Sequence, residues 1–139
     1  MKSAHYILLT IVLLGFIWCF AYPRLFRERM KAQNTQIRMC IIAATASDAF
    51  RLQHVWPASV QDLVARPVNV NDTNLIAFLK YGTNDLWGHP IVLEAFDPVR
   101  GYGQVISYGQ DGLPGGQGSA KDIVLHYGEN QYMKFVKDK

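Results

Sequence analysis

Two aspartates in a glycine-rich segment are the residues of this sequence whose types could bind a cation. The segment SYGQDGLPGGQGSAKDI, residues 107–123, contains five glycines and one proline, with Asp111 and Asp122 near its two ends. Glycine and proline interrupt helices and strands, so no regular backbone ladder is expected here. The segment is therefore either a flexible connector or a loop that something else holds in shape, and carboxylates are ligands for hard cations such as Ca²⁺.

Other residue patterns do not indicate an enzyme. The four histidines have no metal-binding spacing, no Gly-x-Ser-x-Gly nucleophile elbow occurs, and GGQGSAKD lacks the Gly-Lys-Ser/Thr of a phosphate-binding loop. Glu94 and Asp97 are too isolated to form an acid–base pair. Nothing resembles the basic, aromatic-interleaved face of a nucleic-acid binder. The sequence predicts a protein that is not an enzyme and has no nucleic-acid partner.

The N-terminal part of the sequence is dominated by an uncharged apolar run. YILLTIVLLGFIWCFAY, residues 6–22, carries no charge for 17 residues, which is the lower edge of the length that crosses a bilayer. We predict a tail at 1–5 and a transmembrane helix at 6–22. A secretory signal peptide is the alternative, but aromatic and basic residues follow the run instead of a small-residue cleavage site.

The charges that flank this run leave its orientation open. Lys2 precedes it, whereas Arg24, Arg27, Arg29 and Lys31 follow it. Applied alone, the positive-inside rule would keep the C-terminal part in the cytoplasm. The same basic cluster is suited to contact with lipid headgroups.

Residues 23–55 are predicted to continue the apolar run as an amphipathic helix. Residues 30–53 lack glycine and proline, and an apolar stripe runs through Ile37, Ile41 and Ala44 before it fades towards Arg51. Pro23 predicts a kink near the membrane surface. Cys19 and Cys40 would lie ~30 Å apart on such a helix, too far apart for a disulfide.

A small α+β domain is predicted for residues 56–139. WPASVQDLVARP predicts a turn and a short helix that Ser59 caps, and a polar loop with a short apolar segment follows. Three runs, 89–96, 102–109 and 122–128, are typical of strands. Three antiparallel strands on a long helix give an α+β fold. Four aromatic residues are expected in the core: Trp56, Trp87, Tyr102 and Tyr108.

Taken in order, these features resemble the pseudopilins of type II secretion systems, and most closely the major, G-type pseudopilin. The resemblance rests on four motifs: the proline and polar exit YPRLFRERMKAQ, the WP-SVQDLVARP stretch, DLWGHPIVL and SYGQDGLPGGQGSAKDI. DLWGHPIVL resembles the family's Asp-Pro-Trp-Gly signature, with Leu86 in place of proline. The resemblance covers nearly the whole chain and implies a pilin-like fold.

The resemblance also implies that the glycine-rich loop wraps a calcium ion. It assigns the side chains of Asp111 and Asp122 as anionic ligands and the carbonyls of Tyr108 and Leu113 as neutral ones. Ser119-Ala120-Lys121 stands where the family commonly has a further acidic residue. Two carboxylates suit weak sites, with dissociation constants of ~10⁻⁴ to 10⁻³ M. The alternative is a metal-free loop held by turns.

The N-terminus differs from the family's pattern. Aligning Gly15 and Pro23 with the family's glycine and proline puts Met1 near the usual peptidase cleavage site, and Tyr6 near the expected glutamate. We therefore expect an unprocessed chain, or a start codon placed too late, and weak or minor incorporation into a filament.

The predicted function is that of a pseudopilin-like, single-pass structural subunit of a type II secretion apparatus, assembling through its N-terminal helix. The expected partners are other pseudopilins, secretion-system membrane subunits and the lipid bilayer. The expected location is the inner membrane, with the domain outside the cytoplasm. The alternative is a non-assembling, membrane-anchored accessory or binding protein with a calcium-stabilised domain.

Overall fold

A long helix forms the spine of the molecule. The computed structural model describes residues 12–16, 22–66, 73–129 and 133–136, and within these ranges residues 12–16 are helical and helix α1 runs over Tyr22–Gln53. Helix α1 ends where His54 adopts a left-handed φ of 56° and donates its N–H to the Phe50 carbonyl at 2.8 Å. Among the described residues, no helix has both the length and the apolar character needed to span a membrane. The predicted span at 6–22 lies largely outside these ranges, as does Cys19. Pro23, where a kink was predicted, is the second residue of α1, but residues 17–21 before it are outside the described ranges.

Two shorter helices follow α1. Helix α2, Val60–Ala65, begins as predicted at Ser59, whose hydroxyl accepts a hydrogen bond from the Asp62 N–H at 3.3 Å. Helix α3, Thr73–Tyr81, occupies part of the segment that we predicted to be a polar loop. That prediction was wrong, because the apolar residues at 75–79 lie at helical spacing and Leu79 reaches the core.

The sheet is antiparallel, with four strands in the order β1-β2-β3-β4. The strands are β1 Val92–Asp97, β2 Tyr102–Ser107, β3 Ile123–Tyr127 and β4 Met133–Phe135. The three predicted strands are confirmed. Strand β4 was missed because three residues are too few to show an alternating pattern, and pairing with β3 supplies the order that its own sequence does not.

The core lies between α1 and the sheet, so the fold is the predicted pilin-like α+β arrangement. Leu93, Val105 and Leu125 are paired across adjacent strands and face Met39 and Ile42 of α1. Beyond them, the ring of Trp56 stacks between those of Phe50 and Phe96, with centroids 4.3 and 4.5 Å away. These contacts fix the domain against the C-terminal half of α1.

The buried face of α1 consists of Thr35, Met39, Ile42, Ala43, Thr45, Ala46, Ser47 and Ala49. The predicted apolar stripe lies on another part of the helix surface, where Ile37 is 59% exposed. The expectation about the core aromatics needs correction. Among the expected core aromatics, Trp56 packs on the core, whereas Tyr102 stacks on His126 on the sheet face away from α1.

Candidate functional site

The glycine-rich loop begins at the end of β2 and returns to the start of β3. It contains two short 3₁₀ helices, Gly109–Asp111 and Gly118–Ala120, which lie against each other. Gly109 has a left-handed φ of 66°, and a Cβ there would lie 2.8 Å from the Lys121 carbonyl oxygen. A larger residue would therefore push the two ends of the loop apart.

Only one of the two oxygens of the Asp122 carboxylate has a hydrogen-bond partner. Its Oδ2 accepts a hydrogen bond from the Gly115 N–H at 2.9 Å, whereas its Oδ1 is buried and has no hydrogen-bond partner. A buried carboxylate oxygen without a partner is energetically costly, and a cation is the group that best offsets its charge. Of the predicted ligands, Asp122 is thus the one whose surroundings fit a metal ion.

The other three predicted ligands lie in the first half of the loop. Asp111 is exposed and its Oδ1 accepts a hydrogen bond from the Leu113 N–H at 3.2 Å. Tyr108 immediately precedes the first 3₁₀ helix, and the Leu113 side chain is 64% exposed. Only the backbone carbonyls of Tyr108 and Leu113 are therefore suited to bind an ion. No group of three or more His, Cys, Asp and Glu side chains with metal-binding geometry occurs within the described ranges. A site here would depend on backbone oxygens.

Sequence reasoning missed the residue that holds the loop in place. Asp85 is only 3% exposed, and its Oδ1 accepts hydrogen bonds from the N–H groups of Trp87 at 3.0 Å and His89 at 2.8 Å. Its Oδ2 accepts from the Ser107 hydroxyl at 2.8 Å, and that hydroxyl accepts from the Gly109 N–H at 3.3 Å. The turn before β1 is thus connected to the first residues of the loop. The sign of this role in the sequence was the position of Asp85 as the first residue of the DLWG motif.

A second contact joins the same turn to the loop. The His89 Nε2 lies 3.1 Å from the Gln110 carbonyl oxygen. Within the loop, the Ser119 hydroxyl donates to the Gln110 side-chain oxygen. The loop is therefore held by defined contacts and is not a free connector.

The face of α1 opposite the sheet is a second candidate site. Tyr22, Phe26, Met30, Ile37 and Ile41 fall within about 100° of one another at 3.6 residues per turn, and we call this surface the outer stripe. Tyr22 and Phe26 are each 56% exposed, and Ile37 is 59% exposed. The exposed Gln33 interrupts this surface, which is otherwise apolar, and exposed apolar patches are typical of interaction sites. Part of it, Ile37 and Ile41, was predicted from the sequence.

Two comparisons of the chain with known proteins point to the same protein family. The family model for protein G of the type II secretion system matches residues 25–126. The chain is 30% identical over 125 residues to the type II secretion system core protein G of Vibrio cholerae, and the match covers 84% of each chain. No solved structure matches the chain significantly. The chain therefore belongs to the type II secretion system protein G family, a family of structural pseudopilin subunits rather than enzymes.

Proposed function

We propose that this pseudopilin is anchored in the inner membrane and assembles with other pseudopilins or secretion-system membrane subunits through the outer stripe of α1. The observation that supports this proposal most directly is that the side chains of the outer stripe are exposed. The domain covers the opposite side of α1, so the stripe stays accessible along the helix. Removing apolar side chains from water is the main favourable term in association, and the stripe offers several of them in a row.

The side chains around the stripe support packing against another helix. Ala44 lies in line with Phe26 and Ile37 and is half-buried, so a neighbouring backbone can come close there. Ala43 and Ala46 are fully buried and are not available for such packing. We therefore place the assembly surface on the N-terminal two thirds of α1.

The proposed anchor is the apolar run at 6–22, which precedes α1 in the chain. The domain boundaries we propose follow from it: a tail at 1–5, the span, the helix continuation at 23–55 and the domain at 56–139. We place the domain outside the cytoplasm, because folded domains are translocated largely regardless of flanking charge. Activity of a C-terminal reporter that works only in the cytoplasm would contradict this orientation.

We also propose that the loop binds a calcium ion. Asp111 and Asp122 would supply anionic oxygens, and the carbonyls of Tyr108 and Leu113 neutral ones. The buried, unpartnered Oδ1 of Asp122 supports the proposal. A bound ion would offset the charge of that oxygen and stabilise the ordered form of the loop.

Assembly is tested by placing a charge on the outer stripe. Ile37→Asp in the full chain should abolish multimers in membranes, measured by blue-native electrophoresis after mild detergent extraction, because a charge cannot be buried unpaired between helices. Val99→Asp is the matched control, since Val99 is 93% exposed but lies in the turn between β1 and β2. Unchanged multimers of Ile37→Asp would contradict assembly through the outer stripe. Absence of multimers in the unsubstituted chain would favour the alternative of a non-assembling accessory protein.

A further inference from the structure

A groove separates the N-terminal half of α1 from the loop and the β4 edge of the sheet. Its volume is about 680 Å³, and its walls include Arg24, Leu25 and Arg29 from α1, Trp87 from the turn before β1, Lys121 from the loop and Phe135 from β4. The groove therefore combines cations on both walls with apolar and aromatic side chains. It lies on the side of α1 away from the outer stripe.

The groove is lined by more cations than carboxylates: Arg24, Arg29 and Lys121 contribute three positive charges. Two carboxylates, those of Glu28 and Asp122, also line it. Glu28 accepts a hydrogen bond from the Trp87 Nε1 at 2.7 Å and forms a salt bridge at 3.4 Å with Lys31, which lies outside the groove. None of the salt bridges among the described residues uses Arg24 or Arg29. The groove thus has an excess of positive charge that is suited to a phosphate group.

The position of the groove along the helix limits what can reach it. At 1.5 Å per residue, Arg24 and Arg29 lie ~3 and ~10 Å beyond the end of the apolar run at residue 22. The headgroup layer on each side of a bilayer is roughly 5–8 Å thick. If the run spans the membrane, the arginine side of the groove therefore opens at the headgroup layer, because long basic side chains reach towards the phosphates.

We propose that this groove binds the headgroup of an anionic phospholipid, with its phosphate against Arg24, Arg29 and Lys121. The inference rests on the proposed membrane anchoring. It differs from general attraction to a basic patch, because it requires Lys121, which is almost a hundred residues away in sequence, and does not require the neighbouring Arg27.

The test measures lipid binding to the full chain in detergent micelles by native mass spectrometry. Phosphatidylglycerol should bind in preference to phosphatidylcholine. Arg29→Gln and Lys121→Gln should each weaken phosphatidylglycerol binding about tenfold, the effect of losing one hydrogen bond to a charged group. Arg27→Gln, which removes the same charge two residues away but does not line the groove, should stay within about twofold of the unsubstituted chain.

Several results would overturn the proposal. Equal losses for Arg27→Gln and Arg29→Gln would indicate diffuse attraction to the basic cluster, and unchanged binding in Lys121→Gln would exclude the groove. If Lys121→Gln has a lowered melting temperature, Lys121→Arg is measured in its place. Because it keeps the positive charge, Lys121→Arg should retain phosphatidylglycerol binding. If Arg29→Gln and Lys121→Gln no longer form multimers but still bind phosphatidylglycerol, the groove binds a second copy of the chain instead.

The membrane anchoring has a separate readout. Extraction of the full chain from membranes by alkaline carbonate would contradict the proposed function itself. Retention in the membrane without any preference for phosphatidylglycerol would contradict only the lipid site.

Discussion

The two oxygens of the Asp122 carboxylate have different surroundings, and this difference makes the loop testable at the scale of a single residue. One oxygen accepts a hydrogen bond from Gly115, and the other is buried without a partner. A cation bound only by the folded loop stabilises the fold by mass action, by about 1.4 kcal/mol at a tenfold excess over its dissociation constant.

We therefore expect several millimolar Ca²⁺ to raise the melting temperature of the full chain in micelles by roughly 5 °C. Mg²⁺ should do less, because it prefers octahedral geometry and loses its water reluctantly. Asp122→Asn and Asp111→Asn should abolish the response, whereas Asp48→Asn, an exposed carboxylate on α1, should keep it. Identical melting in chelator and in Ca²⁺ would contradict the site.

The candidate site could be predicted only in part at this scale. The glycines and the two aspartates are adjacent in sequence, so the loop and its carboxylates were visible. The bonds from Asp85 to Ser107 and from His89 to Gln110 join residues 21 to 22 positions apart. Such pairs depend on the arrangement of the turn and the sheet, which no local pattern encodes.

At the scale of elements, three hydrogen bonds attach α1 to the turn before β1. The Trp87 Nε1 donates to Glu28 at 2.7 Å, the Leu86 N–H donates to the Thr35 hydroxyl at 3.1 Å, and Arg38 donates to the Asn84 carbonyl at 2.5 Å. The bond to Thr35 needs the N–H of Leu86. The proline that the family's signature has at this position would lack that N–H. These bonds orient the half of α1 that carries the outer stripe.

The bond to Glu28 should depend on pH. The Trp87 hydrogen bond, together with Lys31, lowers the pKa of Glu28 below its usual value. Because the pKa of Glu28 is lowered in the folded state, its ionised carboxylate stabilises the fold at pH values above the unfolded pKa of about 4.3. This stabilisation is lost as the pH falls through the folded pKa. Glu28→Gln should therefore reduce hydrogen-exchange protection of residues 24–34 at pH 7 but make no difference near pH 2.

Asp48→Asn serves again as the control, since its carboxylate lies on the same helix but pairs with Arg51. It should leave the protection of residues 24–34 unchanged at both pH values. Equal protection in Glu28→Gln and the unsubstituted chain at pH 7 would show that the Trp87 bond does not hold this half of the helix.

The elements differed in how well their sequence predicted them. Helix α1 and strands β1 to β3 have long or alternating patterns and were found. The buried face of α1 was not predicted, because Thr35, Thr45 and Ser47 are polar residues that the domain buries. Ser47 shows the reason: its hydroxyl donates to the carbonyls of Ala43 and Gly128, so burial leaves it satisfied. A pattern of apolar residues alone cannot reveal a face of this kind.

At the scale of the whole molecule, α1 connects three surfaces with different proposed roles. One face is buried by the domain, the outer stripe lies opposite, and the groove opens near the N-terminal end on the side of the domain. This arrangement leaves the domain and its loop away from the stripe. A neighbouring subunit could therefore pack on the stripe without contacting the proposed calcium site.

Site-specific photo-crosslinking in membranes tests the proposed assembly most directly. A photoreactive benzophenone residue at position 37 of the full chain, on the outer stripe, should form cross-links to a second copy or to another secretion-system subunit. The same residue at position 99, in the exposed turn between β1 and β2, should form few. Cross-links at 99 but not at 37, in a chain that remains in the membrane, would contradict assembly through the outer stripe.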